Sequence, residues 1–176
     1  MAKSRAEHEF LHPEEWESWG ALMMLHRLVL QNLDVELRSV HGLSVTEFDV
    51  LITLFNAPDQ RLGMSDLGDR VLLSPAGTTH LVTRLERNRL VRREVDPTDR
   101  RRWFTVLTDE GDRALQSARH THNDVLRQTL FATTTPAERR TLRRLWQRMS
   151  EQLPHPLSPM NDSVTARPIP DAQPNL

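Results

Sequence analysis

The chain has 176 residues, of which 38% are apolar, and its 23 basic and 24 acidic side chains leave a formal net charge of −1. This composition predicts one compact domain with extensions, and it excludes a basic field over the whole molecule as the means of attracting a polyanion. The lack of cysteine excludes disulfides, thiolate metal sites and cysteine nucleophiles. Neither a signal-peptide pattern nor the ~20-residue apolar run of a membrane span is present, so we expect a soluble cytoplasmic protein with no membrane partner.

The first predicted element is a long helix over residues 13–40, on which apolar side chains recur at steps of three and four. This stripe comprises Trp16, Trp19, Leu22, Met23, His26, Val29, Leu30, Leu33 and Leu37. On it, His26 is expected to be a core side chain rather than a metal ligand. Residues 1–12 ahead of the helix are interpreted as a flexible N-terminus.

Two shorter elements follow. The sequence SVTE at 44–47 is a capping box, which predicts a second helix ending near Asn56. After a turn at 58–64, Ser65 is expected to cap a short helix. That helix is expected to direct three apolar side chains inward, namely Leu67, Val71 and Leu72.

The next helix, over residues 75–88, has a polar and basic outer face. Ser74 followed by Pro75 is a start signal, because serine caps free amides and proline lacks the N–H that would need an acceptor there. The apolar side of this helix carries Leu81, Val82 and Leu85. The opposite side carries Ala76, Thr79, His80, Thr83, Arg84 and Arg87.

A β-hairpin is predicted behind this helix, where LVRREV and RWFTVL flank the turn-forming loop DPTDRR. Positive charge is concentrated around the hairpin. Residues 84–102 contain eight arginines and four acidic residues, a local excess of four positive charges in a chain that is almost neutral. Arg100, Arg101 and Arg102 form the tip of the hairpin.

Two further helices complete the predicted fold. Thr108 is expected to cap a helix that runs to about Phe131, and the capping box TPAE at 135–138 opens a final helix. The first and last helices carry more apolar surface than one small domain can cover, which predicts a homodimer. The Pro-rich residues 154–176 are interpreted as a disordered tail.

The order of these elements indicates how the chain would bind DNA. A short helix, a tight turn and a second helix with a polar outer face predict a helix-turn-helix, and the hairpin behind it predicts a wing. The expected fold class is therefore a mainly α, winged helix-turn-helix protein, dimeric through its N- and C-terminal helices. Small outward side chains suit the major groove, and the arginine tip suits a narrow, electronegative minor groove. In the tip, the Asp99 carboxylate is expected to fix the Arg101 guanidinium.

The sequence DPTDRRRWFTVLTDEG at 96–111 resembles the wing signature of the MarR family of winged-helix transcriptional regulators. The segments LSVTEFDVLITL and LLSPAGTTHLVTRLERNRLVRR and the long flanking helices follow the order usual in that family, over about residues 14–152. The resemblance implies that 75–88 is the recognition helix and that Asp99 and Arg101 form the wing-tip pair, with Arg101 in the minor groove. It also implies a homodimer formed by the first helix and the last two.

The resulting prediction divides the chain into a dimerisation helix at 13–40, a DNA-binding domain at 41–108 and dimerisation helices at 109–153. The predicted DNA contacts are Ser65, Ser74, Ala76, Gly77, Thr79, His80, Thr83, Arg84, Arg87, Asp99, Arg100, Arg101 and Arg102. The expected partner is double-stranded DNA with an inverted repeat, bound by a homodimeric repressor whose wing, 96–102, enters the minor groove. No cofactor and no enzymatic activity are expected, because the chain lacks a glycine-rich phosphate loop, a nucleophile elbow and a metal-ligand cluster.

A small-molecule effector is a further expectation. The candidate effector-binding residues are Trp16, Trp19, His26, Asp49 and Arg93. An aspartate on an otherwise apolar helix needs a partner, and a structural ion pair with Arg93 is the favoured interpretation of Asp49. Asp49, with Arg93 and a first-helix tryptophan, Trp16 or Trp19, resembles part of the pocket of urate-responsive members of the family, but Leu81 stands where a second arginine is expected there. Urate is therefore not predicted.

Two alternatives stay open. His8 and His12, with Glu9 and Glu15, could form a metal site, although their terminal position argues against it. The winged-helix fold could also serve as a protein-interaction scaffold without specific DNA binding. Steep salt dependence of binding to an inverted-repeat duplex would distinguish a DNA-binding regulator from such a scaffold.

Overall fold

The computed structural model describes residues 10–152 and contains six α-helices and a three-stranded sheet within that range. The elements in chain order are α1 Pro13–His41, α2 Val45–Asn56, β1 Arg61–Gly63, α3 Met64–Arg70, α4 Pro75–Arg87, β2 Val91–Val95, β3 Trp103–Leu107, α5 Asp109–Leu126 and α6 Pro136–Ser150. A 3₁₀ turn, Pro58–Gln60, precedes β1, and a π-helical turn, Arg127–Phe131, prolongs α5. The predictions for residues 1–9 and for the tail 154–176 lie outside the described residues.

Local capping signals determine where most of the helices begin. The hydroxyls of Ser44, Ser74, Thr108 and Thr135 each accept a hydrogen bond from the backbone N–H three residues later, at 2.9–3.3 Å, as predicted. The prediction for Ser65 is wrong. Because β1 runs directly into α3, the helix begins at Met64 without a side-chain cap, and Ser65 lies inside the first turn.

The sheet is antiparallel, with strand order β1-β3-β2. β2 and β3 form the predicted hairpin, in a register that pairs Val91 with Leu107 and Val95 with Trp103. β1 pairs with the other edge of β3, and the sequence does not predict it, since three residues are too few to display the alternation that marks a strand. The mainly helical architecture with a hairpin wing confirms the predicted fold class, while dimerisation stays a prediction.

The core lies where the winged-helix unit, formed by α2, α3, α4 and the sheet, packs against α5 and the C-terminal end of α1. Its fully buried side chains include Phe48, Leu51, Leu54, Leu67, Val82, Leu85 and Leu115. From α1, only Leu33 and Leu37 are buried. The inward orientation predicted for Leu67 is confirmed, but that for Leu72 is wrong. Leu72 has a left-handed φ of 55° in the turn between α3 and α4, and its side chain is 71% exposed.

The N-terminal half of α1 and the whole of α6 lie outside this core. Trp16 and Trp19 are 64% and 49% exposed, and no residue of α6 is buried. His26 is exposed as well, so the prediction of a core histidine is wrong. At the helical rise per residue, Trp16 is about 25 Å along the axis from Leu33, the first buried residue of α1, so this half of the helix extends beyond the core.

Candidate nucleic-acid interface

The helix-turn-helix is formed by α3 and α4, which approach each other closely at one glycine. Gly68 is buried, and a Cβ atom at this position would lie 2.7 Å from Thr78 Oγ1. Thr78 is itself buried, and its hydroxyl donates to the carbonyl of Ser74 at 3.0 Å. The Leu73 N–H closes the turn by donating to the Gly68 carbonyl at 2.9 Å. A larger side chain at position 68 would therefore push the two helices apart.

One face of α4 is open to solvent along the length of the helix. Its exposed residues are Ala76, Thr79, His80, Thr83 and Arg87. The opposite side is buried through Thr78, Leu81, Val82 and Leu85. We call the exposed set the open face of α4. It carries small, hydroxyl-bearing and basic side chains that could hydrogen-bond or pack against base edges.

Arg84, which the sequence assigns to this face, directs its guanidinium toward the protein body. Its Nε donates to Oε1 of the buried Glu47 at 2.7 Å, and its Nη2 lies 3.3 Å from Ser44 Oγ. Glu47 Oε2 also accepts from the Ser44 backbone N–H and hydroxyl, both at 2.8 Å. The capping box of α2 therefore also holds α4 in place. The sequence reveals the box but not this link, which joins residues 37 positions apart.

The loop between β2 and β3 is organised by its own aspartates. Asp96 is buried, and its Oδ1 accepts from the Thr98 hydroxyl at 2.6 Å and the Thr98 N–H at 2.8 Å. These hydrogen bonds from Thr98 hold the pKa of Asp96 below its usual range. Asp99 Oδ1 accepts from the backbone N–H of Arg101 at 3.0 Å rather than from the guanidinium. The predicted side-chain pair is therefore wrong, because the amide two residues on is the nearer donor.

The eight arginines of residues 84–102 fall into two sets. Three form ion pairs, Arg84 with Glu47, Arg92 with Glu94 and Arg93 with Glu86. Within residues 10–152 the other five form no ion pair, and all are exposed: Arg87, Arg89, Arg100, Arg101 and Arg102. The excess positive charge of this segment is therefore available to solvent at the C-terminal end of α4 and at the wing tip.

Arg93 joins the wing to α4. Its Nη1 lies 3.3 Å from Glu86 Oε2, and its Nη2 donates to the Thr83 hydroxyl at 2.7 Å. The predicted ion pair with Asp49 is therefore wrong, because β2 packs against α4 and brings Arg93 to Glu86. Asp49 is half-buried on α2, and its carboxyl has no hydrogen bond or ion pair within the described part of the chain. Burial raises the pKa of Asp49 to about 6.

The candidate effector-binding residues do not form one site within a single chain. Arg93 lies at the base of the wing and Asp49 on α2, whereas Trp16, Trp19 and His26 lie on the exposed half of α1. Of these residues, Arg93 lines a groove of about 480 Å³ between α4 and the wing base. The groove is lined by Met64, Thr79, Glu86, Arg93 and Trp103.

The alternative metal site is not assembled in the part of the chain that the structure describes. Among residues 10–152, no group of three or more histidine, aspartate or glutamate side chains is placed to hold a metal ion. His8 and Glu9 lie outside that range, and Glu15 accepts a hydrogen bond from the His12 backbone N–H at 2.7 Å. No helix in the same range is both long and apolar enough to cross a membrane.

The paired helices, the open face of α4 and the arginine-tipped hairpin together define a winged helix-turn-helix protein of the DNA-binding type. The sequence matches the MarR family model over residues 41–102. The structure is similar to that of Sco3205 from Streptomyces coelicolor, a MarR family transcriptional regulator solved in complex with DNA. The two share 31% identity with a TM-score of 0.77, over 84% of this chain and 92% of that one. The chain belongs to the MarR family of transcriptional regulators.

Two further relatives support this assignment. AbsC from Streptomyces coelicolor, another MarR family regulator, is 27% identical with a TM-score of 0.74, over 81% of this chain and 96% of that one. The regulator MhqR of Bacillus subtilis is 42% identical over 71 residues, which is 40% of this chain. Matches to MhqR and to YkoM of the same organism cover 48% and 47% of those proteins, so the chain spans about half the length of these curated relatives. These relatives are transcriptional regulators rather than enzymes, as predicted.

Proposed function

We propose that this chain is a sequence-specific DNA-binding repressor that acts as a homodimer on an inverted-repeat operator. α4 enters the major groove, and the wing loop, 96–102, enters an adjacent minor groove. The observation that carries the proposal is where five arginines without ion-pair partners in residues 10–152 lie, in a chain with a formal net charge of −1. Arg87 lies on the open face of α4, Arg89 lies just beyond its C-terminus, and Arg100, Arg101 and Arg102 lie at the wing tip. Such a local cationic surface attracts a polyanion even when the whole molecule is almost neutral.

The proposed contacts are of two kinds. Base edges are read by side chains of the open face and by the backbone beside it, at Ala76, Gly77, Thr79, His80 and Thr83. Phosphates and the minor groove are contacted by Ser65, Ser74, Arg87, Arg100, Arg101 and Arg102, with Arg101 deepest in the groove. Asp99 instead holds the loop in shape by accepting the Arg101 N–H at 3.0 Å. We assign Arg84 a positioning role instead of a DNA contact, because its guanidinium is held by Glu47 at 2.7 Å.

The proposed dimer forms through residues 13–40 and 109–153, which leaves 41–108 for DNA. Large apolar side chains that are exposed on α1 and α6 support this division: Trp16, Trp19, Leu28, Leu142, Leu145, Trp146 and Met149. Charge supports it as well, since the start of α1 has three glutamates within residues 14–17 and α6 has five arginines within residues 139–148. A twofold pair presents two α4 helices to half-sites about 34 Å apart.

The test is the salt dependence of binding to an inverted-repeat duplex. Arg101→Ala should weaken binding about tenfold and reduce the slope of log K against log salt by about one for each arginine removed. Arg92→Ala is the matched control, because Arg92 is an exposed arginine already paired with Glu94 at 2.7 Å. A flat salt response of the unmodified protein would contradict the proposal and favour an interaction scaffold. Equal effects of the two variants would contradict the assigned wing contact.

We also propose that an apolar or aromatic small molecule releases the DNA. The half-buried carboxyl of Asp49, which is unpaired within residues 10–152, supports an effector site near α2. A site that adds Trp16 or Trp19 needs the partner's α1, since both side chains lie beyond the core of their own chain. Candidate metabolites should release the duplex from the unmodified protein and not from Asp49→Asn. Equal release from both would place the effector elsewhere.

A further inference from the structure

The two threonines on the open face of α4 have already donated their hydroxyl protons to the helix backbone. Thr79 Oγ1 donates to the Pro75 carbonyl at 2.9 Å, and Thr83 Oγ1 donates to the Thr79 carbonyl at 2.8 Å. A hydroxyl has a single proton, and a carbonyl can only accept. Neither side chain can therefore donate a hydrogen bond to a base edge while these bonds persist.

Arg93 holds the second of these hydroxyls in place. Its Nη2 donates to Thr83 Oγ1 at 2.7 Å and lies 3.4 Å from the Thr79 carbonyl. Because a guanidinium has no acceptor, the Thr83 proton must remain directed at the Thr79 carbonyl. Arg93 is itself held by Glu86, at 3.3 Å. The wing base thus fixes the rotamer of a side chain on the open face.

The orientation of the hydroxyls leaves the methyl groups as the outward branches. Threonine is branched at Cβ, and when its hydroxyl donates to the preceding turn, the oxygen can only accept. Thymine offers an acceptor and a methyl group in the major groove, so the methyl group of threonine is the branch that can contact it. Both threonines are exposed. In the major groove, the group that distinguishes thymine by apolar contact is its C5-methyl.

We propose that Thr79 and Thr83 read thymine through its 5-methyl group, and that Arg93 is a positioning residue that keeps Thr83 in the methyl-outward rotamer. This inference rests on the proposed entry of α4 into the major groove. It specifies the chemistry of readout at two positions, which the general assignment of a recognition helix does not. It also gives the contact between wing and α4 a role in sequence discrimination.

The test replaces thymidine by deoxyuridine, one position at a time, in a half-site selected from random duplexes. Uracil keeps every hydrogen-bonding group of thymine and lacks only the methyl group. The full-length protein should lose about fourfold in affinity at each contacted position, the equivalent of burying one methyl-sized group. Uniform affinity for all the deoxyuridine duplexes would overturn the inference. If the unsubstituted duplex is not bound either, the proposed function fails first, so the two failures are distinguishable.

A pair of variants separates the methyl group from the hydroxyl. Thr79→Val keeps the methyl group and the branched shape, so discrimination of thymine from uracil should persist. Thr79→Ser keeps the hydroxyl and removes the methyl group, so discrimination should vanish at the thymine contacted by residue 79. Loss of discrimination in Thr79→Val and its retention in Thr79→Ser would show that the hydroxyl carries the readout, and would overturn the inference.

The role of Arg93 is tested by replacing it and measuring thymine discrimination separately at the two contacted positions. Arg93→Met should weaken thymine discrimination at the position read by Thr83 and leave it unchanged at the position read by Thr79. Thr79 donates to the Pro75 carbonyl without help from the wing. An equal loss at both positions would indicate general disturbance of α4 and would overturn the positioning role.

Discussion

The winged-helix unit and the helices that flank it differ in how their apolar side chains are covered. Leu51 and Leu54 in α2 have no exposed surface, whereas Leu142 and Trp146 in α6 are 38% and 41% exposed. The unit therefore shares a closed core with α5 and the C-terminal end of α1, whereas the apolar side chains of α6 and of the N-terminal half of α1 are left uncovered within the single chain. This contrast supports the proposal that one part of the chain presents a surface to DNA and the other joins two copies.

Charges placed on the flanking helices should have the strongest effect. Leu142→Glu combined with Trp146→Glu adds two negative charges to the exposed apolar side of α6 and should give a monomer. Binding to an inverted repeat should then weaken at least about 100-fold, because the second half-site is no longer engaged at high effective concentration. Light scattering and a quantitative shift assay measure the two outcomes.

The matched control for this prediction is Gln147→Glu. This substitution also adds a negative charge to α6, but on the side opposite Leu142, given the helical period. It should leave the protein dimeric. A double variant that remained dimeric and bound DNA normally would remove α6 from the proposed interface.

A second prediction compares a core leucine with a flanking one. Leu54→Ala should lower the free energy of unfolding by about 2–5 kcal/mol, because it leaves a cavity in a close-packed core. It should leave the dimer dissociation constant almost unchanged. Leu145→Ala should leave the free energy of unfolding almost unchanged and raise the dimer dissociation constant, since its side chain is 38% exposed in the single chain. Urea unfolding of dilute protein measures the free energy of unfolding, and sedimentation at several concentrations measures the dimer dissociation constant. Similar weakening of the dimer by both variants would contradict the predicted difference between the core and α6.

A third, smaller effect concerns Asp49. Since burial raises its pKa to about 6, the folded state binds a proton more tightly than the unfolded state, and the free energy of unfolding should fall as pH rises from about 4 to 6. Asp49→Asn should remove this loss and stabilise the protein by about 1–3 kcal/mol at pH 7–8, with no gain below pH 4. Urea unfolding across this pH range measures the difference.

The control for Asp49 is Asp69→Asn, which removes an exposed carboxylate from α3. This variant should keep the pH profile of the unmodified protein. Equal pH profiles for the unmodified protein and Asp49→Asn would show that the carboxyl of Asp49 is solvated or paired in the folded dimer.

Features that depend on neighbouring residues can be predicted from the sequence, whereas contacts between residues far apart in the chain cannot. The cap of α4 follows from Ser74 and Pro75, which lie next to the helix they begin, and the hairpin follows from two short strand patterns around DPTDRR. The sequence does not show that Arg84 is drawn to Glu47, because that bond depends on how α2 and α4 pack. The prediction for His26 fails for a related reason, since an apolar stripe does not say whether its own chain or a partner covers it.

The sequence around Asp96 contains a local turn signal, which is missed when acidic residues are considered only as partners of arginines. An aspartate two residues before a threonine, with proline between them, is typical of a turn in which the carboxylate accepts the later N–H. The structure has this bond at 2.8 Å, within the loop that carries Arg100, Arg101 and Arg102. The backbone geometry of residues 96–102 is therefore set by hydrogen bonds that nearby backbone amides donate to the aspartate carboxylates, and the guanidinium groups at the tip take no part in these bonds.

The full-length protein can be used to select bound duplexes from a random pool, which are then sequenced. This experiment measures whether two copies of the chain bind one operator together. A twofold pair of winged-helix units should enrich inverted repeats whose half-site centres lie about one helical turn, or roughly 10 base pairs, apart. Enrichment of single, asymmetric sites, or no enrichment at all, would contradict the claim that two open faces of α4 bind the same DNA.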